Sequence, residues 1–229
     1  NKNATAQITK PTMVFLHGFN GSSLSWAYQF DHFKSMRFIS IDAPGFGNTS
    51  VFEGGIKAFA NELLTMLIAL NAQPFLIIGH SMGGMLGQVL AAKSEANCIG
   101  LVLSCTHKGR GAKLNEPLST EIQQRINQRS VLSDKDYGEL RVGRMLSGKL
   151  CTEKYKFLAS IAGEIRVEGI KWGGAAIQYI DTTPYLRRIN MPTLVLTAKQ
   201  DIVVSTAASD ALIASLPSAQ HVELKEVGH

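Results

Sequence analysis

Residues 73–87 read QPFLIIGHSMGGMLG, a short apolar run followed by a serine set among glycines. The run at 75–78 has the length and bulk of a strand buried on both faces of a sheet. Residues 79–83 then give Gly-His-Ser-Met-Gly, and helical spacing continues from residue 84 to residue 92. A strand that turns abruptly into a helix around one serine is a nucleophile elbow. The pattern predicts that Ser81 is held, exposed, at the carboxyl end of a central strand.

The glycines around Ser81 support this interpretation. An elbow forces strained backbone angles on its nucleophile, so the flanking positions must be almost free of side chain, and Gly79, Gly83 and Gly84 meet that need. The alternative is a glycine-rich turn with no chemical role, because a five-residue motif recurs by chance. The strand before the motif and the helix after it favour the elbow.

Length and composition indicate a globular protein of one domain, with room for an insertion. The chain has 229 residues, of which 45% are hydrophobic and 18% are charged. No run reaches the ~18 apolar residues of a membrane span. The three cysteines, Cys98, Cys105 and Cys151, lack metal-ligand spacing and predict packed thiols in a reducing, cytoplasmic compartment. The polar residues 1–10 lack an initiator methionine, which leaves open an upstream start and a removed signal peptide.

The positive charge is concentrated in the middle of the chain. Residues 107–190 hold 15 Lys+Arg and 9 Asp+Glu, whereas the whole chain has a net charge of +5. The excess is dispersed and has no interleaved aromatic residues, so we expect no nucleic-acid partner. It favours the attraction of a small anion towards this segment.

Strand-length apolar runs alternate with helical stripes along most of the chain. Predicted strands occupy residues 13–16, 37–41, 75–78, 99–105, 192–198 and 220–225, and predicted helices occupy 24–33, 56–70, 84–92 and 206–216. This alternation predicts an α/β fold, with a doubly wound, mostly parallel sheet and helices on both faces. Residues 106–185 show helical patterns and no convincing strand. We predict a core of residues 1–105 and 186–229 beneath a helical lid of residues 106–185.

Two further strand exits carry the partners that a nucleophilic serine needs. Serine is a poor nucleophile at neutral pH and requires a base, which a third group must orient. Asp201 follows the strand at 192–198, and His229 follows the strand at 220–225. The order Ser81, Asp201, His229 is that of nucleophile-elbow enzymes. Taken singly, Asp201 could be a turn residue and His229 a terminal histidine, but three residue types at three suitable strand exits favour a triad.

An acyl-transfer site also needs two N–H donors for the oxyanion. We expect one from Met82, directly after the nucleophile, and the other from Phe19, in the turn after the strand at 13–16. His17 and His80 are interpreted as structural histidines rather than catalysts, and we expect helix–strand packing to bury His80.

The motifs together resemble the α/β-hydrolase superfamily. They are HGFNGSSLSW at 17–26, DAPGFGNTS at 42–50, GHSMGG at 79–84, LVLTAKQD at 194–201 and EVGH at 226–229. The resemblance implies that Ser81 forms an acyl-enzyme, His229 shuttles the proton and Asp201 orients the imidazole. It also implies a lid inserted after the sixth family strand. A serine nucleophile argues against the dehalogenases and epoxide hydrolases of this superfamily.

The chain departs from the family pattern at both ends. Family members usually carry two strands before the one at 13–16 and a helix after the catalytic histidine. We therefore expect that both ends are missing from this sequence.

Residues 166–202 are similar to the 3-oxoadipate enol-lactonases, which open a lactone that bears a carboxylate. The resemblance suggests that basic side chains of the lid meet this anion, the candidates being Lys108, Arg110, Lys113 and Arg166. Trp26 and Trp172 are candidates to wall an apolar pocket. For each of these residues the alternative is an ordinary solvated face or core packing.

The predicted function is a serine hydrolase that cleaves a small carboxylic ester or lactone without metal or organic cofactor. The positive charge of the lid favours an anionic substrate. Within the same fold, a general carboxylesterase differs only in lid shape. A carbon–carbon bond hydrolase or a lyase such as those of menaquinone synthesis uses the same triad. A non-catalytic, receptor-like binding protein is the alternative from another class.

Overall fold

The structure, a computed structural model, describes residues 10–146 and 151–229. The expectations concerning residues 1–9 lie outside these ranges. Six strands form one sheet, in the order β2-β1-β3-β4-β5-β6. The strands are β1 Thr12–Leu16, β2 Arg37–Ile41, β3 Phe75–His80, β4 Cys98–Ser104, β5 Thr193–Ala198 and β6 Gln220–Leu224. The helices are α1 Ala27–His32, α2 Ile56–Ala69, α3 Met82–Lys93, α4 Thr120–Val131, α5 Asp134–Gly143, α6 Thr152–Gly163, α7 Val167–Tyr179, α8 Thr183–Leu186 and α9 Thr206–Ala214.

Every strand pair in the sheet is parallel, which confirms the predicted α/β class. The register aligns the carboxyl ends of the central strands, because Leu16 lies opposite Gly79 and Gly79 lies opposite Leu103. Leu103 in turn lies opposite Val195. The loops that leave β1, β3, β4 and β5 therefore emerge along one edge of the sheet, where α/β proteins place their sites.

The two faces of the sheet are covered by different elements. Helix α3 is buried from Met82 to Ala92 and packs on β1, β3 and β4, while α2 packs against α3. On the opposite face, Phe15 contacts the rings of Trp26 and Phe30, which come from the short helical region after β1. Strand β6 forms one edge of the sheet, and all its residues are exposed.

The predicted helix at 24–33 is split. A 3-10 turn spans Ser23–Trp26, and α1 then follows. The residue that caps this turn is Ser22. The Ser22 hydroxyl accepts the Leu24 N–H at 3.3 Å, and the Ser25 hydroxyl accepts the Ser22 N–H at 3.1 Å. This reciprocal capping box starts the turn one residue earlier than expected.

Helices α4 to α7 occupy most of the predicted lid segment, and within it α5 packs on α6 and α4 on α7. The lid and its boundaries remain predictions. Two of the cysteines, Cys98 and Cys105, are buried as expected, but Cys151 is exposed because it precedes α6 at the surface. Among the described helices, none combines the length and apolar character needed to cross a bilayer.

The packing of α3 on β1 leaves no room for a side chain at Gly83. A Cβ atom there would overlap the Leu16 carbonyl oxygen and lie 2.6 Å from the His17 carbonyl oxygen. Both obstacles are backbone atoms, so relief requires a shift of helix against strand. We expect Gly83→Ala to lower the free energy of unfolding by about 3 kcal/mol or more, at the upper end of overpacking costs.

Urea denaturation followed by tryptophan fluorescence measures this effect. Gly87→Ala, on the same helix, is the matched control, because its added Cβ would meet side-chain atoms rather than backbone, the nearest of them Ile77 Cγ2 at 3.2 Å. It should change the free energy of unfolding by about 1 kcal/mol or less, since alanine also favours the helix. Equal effects of the two substitutions would contradict the close packing at Gly83.

Candidate active site

Ser81 occupies a sharp turn between β3 and α3. Its backbone angles are φ 52° and ψ −117°, a region that non-glycine residues rarely adopt. Two hydrogen bonds from the β4 side hold this conformation: the Ser81 N–H donates to the Ser104 carbonyl at 2.9 Å, and the Thr106 hydroxyl donates to the Ser81 carbonyl at 2.6 Å. Strain of this kind persists only where the surroundings impose it, as at many functional sites.

The loop after β1 passes close to Ser81. A Cβ atom on Gly18 would lie 3.2 Å from the Ser81 Cβ and 2.7 Å from His80 Nδ1. Only glycine therefore permits this approach, which carries Phe19 to the rim of the same cavity as Ser81.

Asp201 and His229 form a buried hydrogen-bonded pair. His229 Nδ1 lies 2.9 Å from Asp201 Oδ2, and the two side chains are only 3% and 6% exposed, respectively. Asp201 Oδ1 accepts the N–H groups of Val203 and Val204 at 2.7 and 2.9 Å. Burial opposes ionisation of this carboxyl, but the hydrogen bonds from His229 and the two amides outweigh it and hold the Asp201 pKa below its usual value.

His229 is fixed from more than one side. The backbone N–H of His229 donates to the Met145 carbonyl at 3.0 Å. Two residues before His229, the Val227 carbonyl accepts the backbone N–H of Gln200 at 3.1 Å. The imidazole of His229 also lies against that of His80, with 4.8 Å between ring centroids. These contacts restrict the ring to one orientation.

Ser81 and His229 line the same cavity, which has a volume of about 280 Å³. Its floor is formed by the strand exits and its upper wall by apolar side chains of the helical segment, namely Ile122, Val142, Met145, Leu158, Ile161 and Ile177. No hydrogen bond joins the Ser81 hydroxyl to His229 within residues 10–146 and 151–229. Catalytic hydrogen bonds are often long without substrate and tighten in the complex.

The two predicted oxyanion donors flank Ser81. Met82 is the first residue of α3, where the N–H groups of the opening turn have no helical acceptor. Phe19 lies in the loop after β1, and in the described part of the chain neither amide donates to a backbone acceptor. Both N–H groups are therefore available to an oxygen bound beside Ser81.

His17 has the structural role that its sequence context suggested. Its Nδ1 donates to the Gly18 carbonyl at 2.7 Å, and its Nε2 accepts the Ala43 N–H at 2.9 Å. Burial lowers the pKa of His17, which keeps the ring neutral and suits this pair of bonds. His17 thus connects the loops after β1 and β2.

The prediction that helix–strand packing buries His80 is wrong. The side chain is only partly buried and lines the cavity, because alternation along β3 places His80 on the face of Ile78, away from α3. Its ring nitrogens form no hydrogen bond with the residues that the structure describes. Desolvation, together with the charge that His229 can carry, lowers the pKa of His80 to about 3.

Of the two tryptophans proposed for the pocket, only Trp26 lines the cavity. The prediction that Trp172 walls the pocket is wrong, because this side chain belongs to the core. Its indole N–H donates to the Gly54 carbonyl at 2.7 Å, and its ring packs edge-on against Phe59 at 5.7 Å. Aromatic character alone does not distinguish these two environments.

Of the basic candidates, only Arg110 lines the cavity, and its guanidinium is paired with Glu121 at 3.1 Å. The prediction that Lys108 and Arg166 meet the substrate is wrong, because their charged groups form hydrogen bonds outside the cavity. Lys108 Nζ contacts the Ser215 hydroxyl at 3.3 Å, and Arg166 donates to the carbonyls of Gly45 and Thr49. Lys113, also a candidate, is exposed at the surface and does not line the cavity.

Arg125 is the cavity residue that the sequence reasoning missed. Its guanidinium lies 4.7 Å from the centroid of the Phe19 ring, and one of its N–H groups reaches Asn20 Oδ1 at 3.5 Å. In the described ranges no carboxylate pairs with it. Burial lowers the pKa of Arg125. A signal was present, since Arg125 stands three residues after the buried Ile122 and so on the same face of α4.

Solved structures with the same architecture include enzymes of several kinds. The enol-lactonase from Burkholderia xenovorans LB400 is 21% identical, and the match covers 96% of this chain and 85% of that one with a TM-score of 0.81. The esterase EaEST from Exiguobacterium antarcticum is 16% identical, with 96% and 85% covered and a TM-score of 0.84. At these identities the likeness establishes the fold alone.

Among curated proteins, the chain is 33% identical over 100 residues to the 2-succinyl-6-hydroxy-2,4-cyclohexadiene-1-carboxylate synthase of Salmonella agona (strain SL483). That match covers 43% of this chain and only 40% of the relative's length. The sequence model of the α/β hydrolase fold matches residues 11–229, almost the whole chain. The resemblance inferred from the motifs is thereby confirmed, and the chain belongs to the α/β-hydrolase family.

Proposed function

We propose that the protein is a serine hydrolase that cleaves small carboxylic esters or lactones through an acyl-enzyme on Ser81. The observation that carries this proposal is the strained Ser81 turn, which shares one cavity with the buried Asp201–His229 pair. A nucleophile, a base and a group that orients the base are the three parts that acyl transfer by serine requires.

In the first half of the reaction, His229 acts as the base. Its Nδ1–H donates to Asp201, so Nε2 carries the lone pair that accepts the Ser81 proton. The Ser81 oxygen then bonds to the substrate carbonyl carbon, and the carbonyl π electrons move to its oxygen. Collapse of this intermediate breaks the ester bond, and His229 returns the proton to the leaving alcohol. For a lactone, the alcohol stays attached to the acyl group.

In the second half, a water molecule replaces the alcohol. His229 takes a proton from the water, whose oxygen bonds to the acyl carbon, and collapse then frees the carboxylic acid and restores the Ser81 hydroxyl. In both halves the N–H groups of Phe19 and Met82 donate to the oxyanion. Each such donor contributes about 3 to 4 kcal/mol to transition-state stabilisation in comparable enzymes.

We propose further that the substrate carries a carboxylate, which Arg125 binds. Arg110 is already paired with Glu121, whereas Arg125 has no carboxylate partner in the described residues. The Arg125 guanidinium lies over the ring of Phe19, the residue whose backbone N–H is a proposed oxyanion donor. A buried guanidinium favours an anionic partner with two acceptor oxygens. An enol-lactonase among the structural neighbours and a relative whose product is named as a carboxylate agree with this choice.

Arg125→Met tests the anion proposal, because methionine keeps an unbranched apolar stem against Phe19 and removes the charge. For a lactone with a carboxymethyl substituent we expect kcat/KM to fall by roughly 10- to 100-fold, the loss expected for a charged hydrogen bond. For the same lactone without that substituent we expect a change of about twofold or less. Steady-state hydrolysis of the two lactones measures the difference.

Lys113→Gln is the control, because it removes one positive charge from the same segment at an exposed position. It should leave the ratio of the two rates as in the parent. If Arg125→Met slows both lactones equally, or neither, Arg125 does not recognise the carboxylate.

A lyase is the second candidate, favoured by the similarity to the Salmonella synthase. Such an enzyme would use His229 and Ser81 as a proton-transfer pair on a carboxylated substrate. Simple esters separate the two functions, since a hydrolase should turn over p-nitrophenyl acetate repeatedly. A lyase should show little turnover of this ester, because it removes a proton from its own substrate and expels a leaving group as the double bond forms, without consuming water.

A further inference from the structure

A group of potential metal ligands joins two histidines that line the cavity, His80 and His229, to the buried Cys105. It consists of a ring nitrogen from His80, a ring nitrogen from His229 and the sulfur of Cys105, all within 4.8 Å of one another. His80 ends β3 and Cys105 directly follows β4, and these two strands are neighbours in the sheet, whereas His229 lies beyond β6, which β5 separates from β4. Their separation in sequence, 25 residues or more, explains why cysteine spacing gave no indication of a metal site.

We infer that this group binds a divalent cation of the Zn²⁺ type, and that the bound ion inhibits the enzyme reversibly by occupying His229. Two imidazole nitrogens and one thiolate suit borderline-soft Zn²⁺ rather than the oxygen-preferring Mg²⁺ or Ca²⁺. With bonds of about 2.0 to 2.3 Å, ligand atoms in a tetrahedral site stand roughly 3.3 to 3.8 Å apart. The group therefore needs to contract by up to about 1.5 Å, which rotation of the His80 and Cys105 side chains can provide.

Each ligand is suited to this role by its surroundings. His80 has no hydrogen-bond partner in the described residues and faces the cavity, so a ring nitrogen is free to bind. Asp201 holds His229 through Nδ1 and leaves Nε2 for the ion, which is the carboxylate–histidine–metal arrangement. Cys105 is buried with φ 45°, and its N–H is held by the Leu196 carbonyl at 2.9 Å.

The consequence for catalysis follows from the lone pair on His229. Once Nε2 is bonded to the ion, it cannot accept the Ser81 proton. The inhibitory effect rests on the proposed function, whereas ion binding by the three residues does not.

The binding step is tested spectroscopically on the Cys151→Ser protein, since Cys151 is an exposed thiol that would bind ions elsewhere. We expect Co²⁺ to produce the visible bands of a tetrahedral site and a thiolate-to-cobalt charge-transfer band. Adding Cys105→Ala should abolish the charge-transfer band, and adding His80→Gln should weaken Co²⁺ binding by about tenfold or more. If neither the visible bands nor the charge-transfer band appears in the Cys151→Ser protein, the inference is overturned, whether or not the protein hydrolyses esters.

The inhibition step is tested by Zn²⁺ titration of p-nitrophenyl acetate hydrolysis, with each variant compared with its own metal-free rate. We expect Cys105→Ala and His80→Gln each to raise the half-inhibiting Zn²⁺ concentration by about tenfold or more. Cys98→Ala is the matched control, because this buried thiol contacts the Gly100 carbonyl at 3.3 Å and lies outside the group. If Cys105→Ala and His80→Gln are inhibited at the same Zn²⁺ concentration as the parent, zinc acts elsewhere and the inference is wrong.

Discussion

Replacing Ser81 with alanine is expected to reduce kcat/KM for p-nitrophenyl acetate by about 10⁴- to 10⁶-fold, the range seen when a serine nucleophile is removed. The substitution removes the atom that forms the acyl-enzyme and leaves the cavity, the Asp201–His229 pair and the backbone donors in place. Whatever rate remains would come from binding and oxyanion stabilisation alone.

Ser81→Ala should not unfold the protein. The turn is held by backbone hydrogen bonds to Ser104 and from the Thr106 side chain, and these do not involve the Ser81 hydroxyl. Alanine meets the same strain at φ 52° as serine does. We therefore expect the free energy of unfolding to change by about 1 kcal/mol or less.

Ser25→Ala is the matched control for the nucleophile. Its hydroxyl also faces the cavity but belongs to the capping box with Ser22. We expect a change in kcat/KM of about threefold or less, because loss of a cap affects mainly stability. If purified Ser81→Ala protein, free of contaminating esterases, retains the turnover of the parent, the covalent mechanism is refuted.

The second large effect is expected from Asp201→Asn, with a loss of about 10⁴-fold in kcat, as for the equivalent change in a serine protease. An asparagine oxygen can still accept the N–H groups of Val203 and Val204, so the loop is retained. The amide group that replaces Oδ2 donates rather than accepts, and it turns the His229 Nδ1 into an acceptor. Nε2 then carries the proton and cannot act as the base.

A double variant separates this mechanism from simple loss of structure. If Asp201 acts through His229 on Ser81, the Ser81→Ala, Asp201→Asn protein should be no slower than Ser81→Ala alone, since parts of one unit are not additive. Asp181→Asn is the control, because this carboxylate caps a turn by accepting the Thr183 N–H at 2.9 Å. Comparable rate losses at Asp181 and Asp201 would remove the special role of Asp201.

The sheet could be predicted from sequence because its signals are local. Each central strand is a short apolar run, and the elbow motif fixes the position of β3 and α3. Parallel topology then implies that strand exits share one edge, which is why Ser81, Asp201 and His229 could be proposed without coordinates. The observed strands differ from the predicted ones by only one or two residues at their ends.

The cavity wall could not be predicted in the same way, because it depends on how the helical segment folds over the sheet. Composition marked residues 107–190 as basic, but it does not show which cations point inward. Arg166 is held by backbone carbonyls near Gly45, and Trp172 by Gly54, through contacts more than a hundred residues apart in sequence. Arg125 faces inward because α4 packs on α7 through Ile122, a contact that only the fold reveals.

His80 illustrates a related limit. Its position beside the nucleophile suggested a residue packed between strand and helix, whereas the structure places it in the cavity beside His229. Side chains alternate along β3, and His80 continues the face of Ile78, which packs in the cluster on the side of the sheet away from α3.

The most direct test of the proposed covalent mechanism is mass spectrometry of the intact protein after reaction with a fluorophosphonate, followed by peptide mapping. We expect a single adduct, located on Ser81, that forms rapidly in the parent and in Arg125→Met, slowly in Asp201→Asn, and not at all in Ser81→Ala. An unmodified parent protein, or an adduct located on Ser25 or Cys105 instead, would contradict it.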